Sequence, residues 1–271
     1  KEGKILILSH EQHPLYSRVL LPNYVRRKIE REKVFLRTWE QYQDLRIDVS
    51  VGADVIGVNF ETREVTTSRD ETIAYGKMLI ATGGTPQPWK INGIEFGTLL
   101  RLQTVEDADA IRTALVPLQN KGIPAFVVGG GFIGLEFVET AVAYGFETHL
   151  FLRDKWLFGE QFEEQGWNML LQNYERNRVT VHPSTEIKYL EADPEGFFTG
   201  HTNTSEKLKG SWIGLGVGVG RNYAAFSMRG LEVGKGIRAN QYLETTMPHV
   251  WTAGDVAEYY DVTLDEYRLV G

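Results

Sequence analysis

Short apolar runs alternate with polar turns over residues 49–84, and this pattern predicts a meander of antiparallel strands. The meander ends at residues 78–81, an apolar run that is typical of a buried strand. A second polar meander covers residues 185–210 and leads to another buried strand within 212–220. The chain therefore carries the same local pattern twice.

Between the meanders the pattern changes to that of helices and buried strands. Residues 104–120 predict a helix, with Thr104 as the N-cap and acidic residues in the first turn. The apolar strand 125–128 then passes through a glycine turn into a second helix, which ends at Gly145, and a strand follows at 148–152. This strand–helix–strand order predicts parallel strands in one sheet.

The two halves of the chain follow one plan. The strand segment 148–154 precedes the buried strand at 212–218, with a helix over about 160–177 and a further strand between them. In the same way, segment 5–11 precedes the buried strand at 78–84. The middle copy begins with a strand, a glycine turn and a helix that the first copy lacks. We therefore expect roughly thirty further residues, the front of a βαβ unit, before Lys1.

The composition narrows the possible functions. With 271 residues, of which 42% are apolar, the chain is long enough for two domains with sizeable cores. A net charge of −7 without a long basic run argues against a nucleic-acid partner. No cysteine is present and the six histidines lack ligand spacing, so we predict no thiol chemistry within this chain and no metal site. No apolar run approaches the ~20 residues of a membrane span, and we expect a soluble, cytoplasmic protein.

The glycine turn after strand 125–128 has the spacing G-x-G-x-x-G, formed by Gly129, Gly131 and Gly134. In a dinucleotide-binding turn the first glycine makes the bend and the second lets the backbone approach a pyrophosphate. The third lets the helix pack closely on the strand, while the helix N-terminus offers N–H groups to the phosphates. The alternative is a purely structural turn in another α/β fold.

The end of the next strand bears on the choice between NAD and NADP. An acidic residue directly at this position would bind the ribose 2′-hydroxyl of NAD. Here Arg153 stands at the strand end with Lys155 nearby, and these cations suit the 2′-phosphate of NADP. The alternative is a solvated cluster of charges at a turn.

Four stretches, in this order, resemble the FAD-dependent pyridine nucleotide–disulfide oxidoreductase superfamily, and within it the nitrite reductase, rubredoxin reductase and apoptosis-inducing-factor-like branch. They are HPLYSRVLLPNY (13–24), YGKMLIATGGTPQ (75–87), FVVGGGFIGLEFVE (126–139) and TTMPHVWTAGDVAE (245–258). The resemblance covers essentially the whole chain.

The resemblance implies an α/β fold with two dinucleotide-binding domains. A Rossmann-like FAD domain would be interrupted by a Rossmann-like NAD(P)H domain, and each would carry an antiparallel meander. We predict a first FAD-binding part at 1–118, an NAD(P)H-binding domain at 119–240 and an FAD-binding return segment at 241–271.

The resemblance also implies residues that bind FAD. Asp255 would bind the ribityl or pyrophosphate region, with Gly254 close to the cofactor; an ordinary helix N-cap is the alternative for Asp255. Glu11 follows the first strand, where the family places its ribose-binding acid. Arg18 resembles the basic residue near the FAD phosphates or isoalloxazine, with a surface arginine as the alternative. The other positions that we assign to cofactor binding are Ala81, Thr82, Gly83 and Gly218.

Two residues on the helix after the glycine turn, Phe132 and Glu136, would by resemblance face the nicotinamide and the flavin, and we assign them as catalytic. The alternative for Phe132 is packing of the helix. The alternative for Glu136 is compensation of the helix macrodipole.

The sequence departs from the family pattern at several points. The amino-terminal FAD glycine loop and the carboxy-terminal interface domain have no counterpart, so we expect this chain to be part of a longer enzyme. No cysteine stands near 17–20, where some relatives carry a redox cysteine, which disfavours disulfide reduction. Arg221 takes the place of the family's proline in the segment 216–222.

These observations predict an FAD-dependent oxidoreductase. It would transfer hydride from NAD(P)H to flavin and pass electrons to a redox protein, a quinone or oxygen, with a small redox protein and a second copy of the chain as possible partners. The alternative is a non-catalytic NAD(P)-binding, redox-sensing module that has lost the flavin site. A plain Rossmann dehydrogenase would need an acid–base pair that the sequence does not show.

Overall fold

The computed structural model describes residues 3–92, 99–157, 163–227 and 230–269. Contacts divide the chain into two compact units. Unit 1 comprises 1–16, 35–85 and 219–271, and unit 2 comprises 17–34 and 86–218. None of the helices in the described ranges is both long enough and apolar enough to cross a bilayer.

The helices and strands are numbered along the chain. The helices are α1 Leu21–Val25, α2 Trp39–Asp44, α3 Val105–Leu115, α4 Phe132–Ala143, α5 Glu164–Arg176 and α6 Ala224–Ser227. The strands are β1 Ile5–Ser9, β2 Ile47–Val51, β3 Val55–Asn59, β4 Glu64–Thr67, β5 Thr72–Ala74, β6 Met78–Ile80, β7 Gly84–Pro86, β8 Leu99–Leu100, β9 Ala125–Val128, β10 Thr148–Phe151, β11 Val179–His182, β12 Ile187–Ala192, β13 Phe198–Thr202, β14 Lys207–Gly210, β15 Ile213–Leu215, β16 Val219–Arg221, β17 Ile237–Ala239, β18 Val250–Thr252, β19 Ala257–Asp261 and β20 Glu266–Leu269.

Unit 2 is built on a parallel sheet with the strand order β11-β10-β9-β15-β8. Strand β9 is apolar throughout because both faces of the sheet are covered. One cover is the antiparallel meander β12-β13-β14, whose Phe198 packs with Phe126 and Phe151 of the sheet. The other includes α4, whose Phe137 packs near Trp212, just before β15. The predicted βαβ unit and meander are confirmed.

Helix α3 begins as its sequence predicts. The Thr104 hydroxyl accepts a hydrogen bond from the Asp107 backbone N–H at 3.1 Å, and the Asp107 carboxylate accepts one from the Thr104 N–H at 3.0 Å. This reciprocal capping box satisfies two helix-end donors. The last predicted turn, from Val116 to Leu118, is a 3₁₀ turn with a proline at its second position.

Unit 1 repeats part of the plan of unit 2. Strands β1 and β2 pair in parallel, the meander β3-β4-β5 is antiparallel, and β6 pairs in parallel with β18. In unit 2 the corresponding order is β10 with β11, then β12-β13-β14, then β15. The core of unit 1 brings together Val58 and Val65 of the meander with Ile80, Val250 and Val256. The internal repetition is therefore confirmed.

The limits of the compact units differ from those of the predicted cofactor-binding domains, which stay a prediction. Segment 17–34 belongs to unit 2, although it lies within the predicted FAD part, 1–118, and the chain changes units near 85 and 219. The reason is burial, because Leu21 and Val25 of α1 pack in unit 2, where α1 contacts α3. Which cofactor each unit binds stays a prediction. For the predicted helix at about 160–177, α5 is confirmed, while 160–162 lie outside the described residues.

Two histidines meet between the unit 2 sheet and its meander. His149 Nδ1 lies 2.9 Å from His182 Nε2, and the His182 ring stacks on Phe151. Burial is the main cause that lowers the pKa of both histidines, and His182 lowers the pKa of His149 further. The negative charge of Glu206 partly offsets this for both histidines, and that of Glu147 does so for His149. The neutral forms therefore suit the folded state.

A lowered folded-state pKa predicts that protonation opposes folding. Stability should be complete above the ordinary histidine pKa of about 6.5 and should fall as the pH drops below it, by at most ~1.4 kcal/mol per pH unit for each proton taken up. We expect His182→Gln to flatten this decline in urea unfolding between pH 7 and pH 5. His10→Gln, at an exposed histidine, is the control. An unchanged decline in His182→Gln would contradict this account.

Candidate functional site

The glycine turn of unit 2 joins the end of β9 to the start of α4. Gly129 has a φ of +113°, which favours glycine, and a Cβ there would overlap the carbonyl oxygen of Gly216. A Cβ on Gly134 would overlap the carbonyl oxygen of Gly129, and one on Gly216 would press on the Gly134 backbone N. These three glycines therefore hold β9, α4 and β15 at backbone contact.

Gly131 differs from its neighbours in the turn. Its φ is −94° and its ψ is −172°, an extended conformation that any residue can adopt, and a Cβ there would meet no atom within 4 Å. It is the N-cap of α4, and no side chain of the described residues caps that helix. Helix N-termini carry backbone N–H groups without intrahelical partners and a partial positive charge. The turn thus combines bare backbone, open space and a polarised helix end, and these fit the pyrophosphate of a dinucleotide.

The two residues of α4 that were predicted to be catalytic have different surroundings. Phe132, the first residue of the helix, is 75% exposed, which argues against the alternative that it serves the packing of the helix core. Glu136 lies one turn further on, and its carboxylate accepts a hydrogen bond from Arg26 Nη1 at 2.5 Å. The same nitrogen lies 2.8 Å from Glu139.

Arg26 is a residue that sequence reasoning missed. Its side chain is only 7% exposed, and it joins the end of α1 to two carboxylates on one face of α4. Residues Glu136 and Glu139 are three apart in the helix, so their side chains lie side by side and repel each other without a cation. That spacing was the available signal, but it could not identify a partner 110 residues away. The clamp fixes Glu136 close to the glycine turn.

At the other predicted positions of unit 2, the structure shows local interactions. Arg153 and Asp154 follow β10 and form an exposed ion pair at 3.6 Å, with the Arg153 side chain 80% exposed. Gly218 follows β15 with a φ of +105°, and its carbonyl accepts a hydrogen bond from the Gln87 N–H at 2.9 Å. Arg18 donates a hydrogen bond to the Gln103 carbonyl and lies in unit 2 rather than with Glu11.

Unit 1 places a second bare turn after β18. Gly254 has a φ of +74° and open space around its α-carbon, and it begins a 3₁₀ turn that ends at Val256. Asp255 lies exposed within this turn, whose N-cap is Ala253, so the alternative of an N-cap role for Asp255 is not what the structure shows. An exposed carboxylate beside bare backbone fits the sugar hydroxyls and phosphates of FAD.

Glu11, predicted to bind the FAD ribose, follows the end of β1. Its carboxylate accepts a hydrogen bond from the Tyr16 hydroxyl, and its backbone N–H donates to Ser9 Oγ at 3.2 Å. The neighbouring His10 lies 2.7 Å from Asp54. The carboxylate is therefore anchored by a phenol at the carboxyl end of a parallel strand, the edge at which α/β folds bind ligands.

The predicted segment Ala81–Thr82–Gly83 follows β6 and is tied to Asn222. The Thr82 hydroxyl donates to the Asn222 carbonyl at 2.5 Å, and Asn222 Nδ2 donates to the Thr82 carbonyl at 3.1 Å. The Asn222 N–H also donates to the Gly83 carbonyl at 3.0 Å. Asn222 was not predicted. Its hydrogen bonds join segment 82–83, just before the chain leaves unit 1 at residue 85, to the segment with which the chain re-enters unit 1 at residue 219. The assignment of the segment to cofactor binding stays a prediction.

Comparison with known proteins agrees with this geometry. The sequence model of the family described as "Pyridine nucleotide-disulphide oxidoreductase" matches residues 1–268. The chain is 24% identical over 260 residues to the NAD(P)H nitrite reductase of Bacillus subtilis (strain 168), covering 95% of this chain and 31% of that protein. It is 26% identical over 271 residues to putidaredoxin reductase CamA of Pseudomonas putida, covering 98% of this chain and 62% of that protein.

A solved structure described as the covalent putidaredoxin reductase–putidaredoxin complex matches the fold with a TM-score of 0.91. The match is 23% identical and covers 99% of this chain and 65% of that one. The chain thus spans between about a third and two thirds of the length of these relatives. The predicted fold class, with two dinucleotide-binding domains, is confirmed. The match along nearly the whole sequence shows that this chain belongs to the pyridine nucleotide-disulphide oxidoreductase family, whose enzymes use FAD and NAD(P)H.

Proposed function

We propose that this chain is the nucleotide-binding part of an FAD-dependent NAD(P)H oxidoreductase. The observation that carries the proposal is the glycine turn of unit 2. Gly129 and Gly134 are required by close packing, whereas Gly131 faces open space at the N-terminus of α4. A purely structural turn explains the first two glycines and gives no reason for the third.

Unit 2 binds the nicotinamide nucleotide in this proposal. The pyrophosphate lies against the backbone of Gly131 and the first turn of α4, where N–H groups and the helix dipole stabilise its charge. Arg153 is available for a 2′-phosphate at the end of β10. Phe132 offers an exposed ring beside the phosphates, and the Arg26 clamp holds the Glu136 side chain in place. When bound, the nicotinamide supplies hydride and FAD accepts it.

Unit 1 contributes to FAD binding in this proposal. Gly254 brings bare backbone to the cofactor, Asp255 accepts hydrogen bonds from sugar hydroxyls, and Glu11 binds the ribose. Segment 81–83 of the same unit completes the proposed FAD contacts. In unit 2, Gly218 is proposed to lie beside the nicotinamide nucleotide, and Arg18 stays a predicted cofactor-binding residue.

The electron acceptor is proposed to be a small redox protein. The sequence has no cysteine, and this favours a protein acceptor over disulfide chemistry within this chain. A similar fold has been solved in covalent complex with putidaredoxin, which is consistent with a protein acceptor. Quinone and oxygen remain the alternatives, and the cytoplasmic location and a homo-oligomer stay predictions.

Replacing Gly131 with aspartate should separate nucleotide binding from folding. Aspartate is a preferred N-cap and suits the helix dipole, so α4 should be as stable as before. Its carboxylate would occupy the open space and repel the phosphates. We expect calorimetric affinity for both NADH and NADPH to fall at least tenfold while the urea midpoint is kept or rises.

Two further variants control this experiment. Gly131→Asn adds similar bulk without charge and should also weaken binding, although less. Gly76→Asp places the same residue at an exposed glycine of unit 1, where a Cβ meets no atom within 4 Å, and should leave affinity unchanged. Wild-type affinity in Gly131→Asp would show that the phosphates bind elsewhere.

Arg153 should determine the preference for NADPH. Arg153→Glu replaces a cation with an anion at the expected position of the 2′-phosphate, so the ratio of NADPH to NADH affinity should fall at least tenfold. Arg178→Glu changes an exposed arginine of the same unit at another edge and is the matched control. Equal ratios in wild type and Arg153→Glu would remove Arg153 from the site.

The oxidoreductase proposal predicts a flavin that NAD(P)H reduces. Protein purified with FAD should show flavin absorbance that bleaches when NADH or NADPH is added without oxygen and returns when an acceptor is supplied. A protein that binds NAD(P)H and retains no flavin would instead favour the non-catalytic redox-sensing module.

A further inference from the structure

A pocket lies in unit 2 between the end of α1, the second half of α4 and the end of α5. Its volume is about 370 Å³. Val138 and Val142 of α4 form an apolar wall, while Arg26, Lys28 and Tyr174 supply polar groups. None of these residues belongs to the glycine turn. The pocket is therefore separate from the proposed nucleotide site, although Arg26 links it to Glu136.

Two residues that line this pocket carry buried hydrogen-bond donors without an acceptor among the described residues. The Tyr174 side chain belongs to a residue that is 4% exposed, and its hydroxyl makes no hydrogen bond within the described residues. The Nε–H of Arg26 is also buried without an acceptor there. A buried polar group without a partner carries an uncompensated desolvation cost. A ligand that brings acceptor oxygens into the pocket would recover this cost twice.

The Tyr174 hydroxyl is a donor at any physiological pH. Burial, followed by the negative charge of Glu139, raises its pKa to about 12. The Arg26 guanidinium carries N–H donors and no acceptor. Both groups therefore require an acceptor oxygen rather than a second donor.

The charges around the pocket favour a single negative charge on the ligand. Arg26 and Lys28 are cations and Glu139 is an anion, so the lining carries a net charge of +1. Arg26 Nη1 is already engaged by Glu136 and Glu139, and Nη2 donates to Asn23 Oδ1 at 3.1 Å, which leaves Nε for the ligand. A dianion such as phosphate would bring excess negative charge close to these carboxylates. The valine wall offers no polar partner and suits an apolar substituent.

We propose that this pocket binds a small monocarboxylate with an apolar body. One carboxylate oxygen accepts from the Tyr174 hydroxyl and the other from Arg26 Nε–H, while the apolar body packs on Val138 and Val142 and Lys28 lies at the exposed side. This assigns to the chain a small-molecule site in addition to the proposed FAD and nicotinamide sites, and binding there depends on neither cofactor.

The probe for this site is sodium benzoate, with benzamide as its uncharged analogue and inorganic phosphate as a dianion. We expect ligand-observed NMR on the full chain to show benzoate binding at least tenfold tighter than benzamide or phosphate. Binding should persist in Gly131→Asp, so a failed nucleotide site would leave it unaffected.

Tyr174→Phe removes only the hydroxyl and should weaken benzoate binding at least tenfold. Because that hydroxyl has no partner within the described residues, the melting temperature should stay or rise, so lost binding will not reflect unfolding. Tyr242→Phe, at an exposed tyrosine of unit 1, should bind benzoate like wild type. Absence of benzoate binding, equal binding of benzamide, or wild-type binding in Tyr174→Phe would each overturn the proposal.

Discussion

Backbone contact among three glycines sets the geometry on which the candidate nucleotide site depends. Gly129 ends β9, Gly134 lies in the first turn of α4 and Gly216 follows β15, and a Cβ on any of them would overlap backbone atoms of another. Because no side chains intervene, the N-terminus of α4 lies directly at the carboxyl edge of the parallel sheet. Open α/β folds bind their ligands at this edge of the parallel sheet. The open space beside Gly131, at this end of the helix, is where the pyrophosphate is proposed to bind.

The same helix is held from its side by a buried cation. Arg26 reaches from α1 to Glu136 and Glu139, and desolvating one arginine beside two carboxylates is favourable only with good geometry. Arg26 and Tyr174 also both line the pocket of unit 2. One arginine thus belongs both to the support of the proposed catalytic helix and to the proposed carboxylate pocket.

Local patterns predicted much of this structure, and contacts between distant residues account for the remainder. The capping box at Thr104, the βαβ unit and both meanders could be predicted because neighbouring residues determine them. The glycine spacing identified the turn, and only the structure separates packing glycines from open Gly131. Arg26 and Asn222 were missed because their partners lie 110 and 140 residues away. Burial of α1 in unit 2 escaped prediction for the same reason.

The central claim is that the pyrophosphate lies against the backbone between β9 and α4. The most direct measurement is backbone amide NMR of the ¹⁵N-labelled chain during titration with ADP-ribose, which carries the pyrophosphate without the nicotinamide. The account predicts the largest saturable shifts at the amides of Gly131, Phe132 and Ile133. Saturable shifts confined to other parts of the chain, with these three amides unmoved, would contradict it.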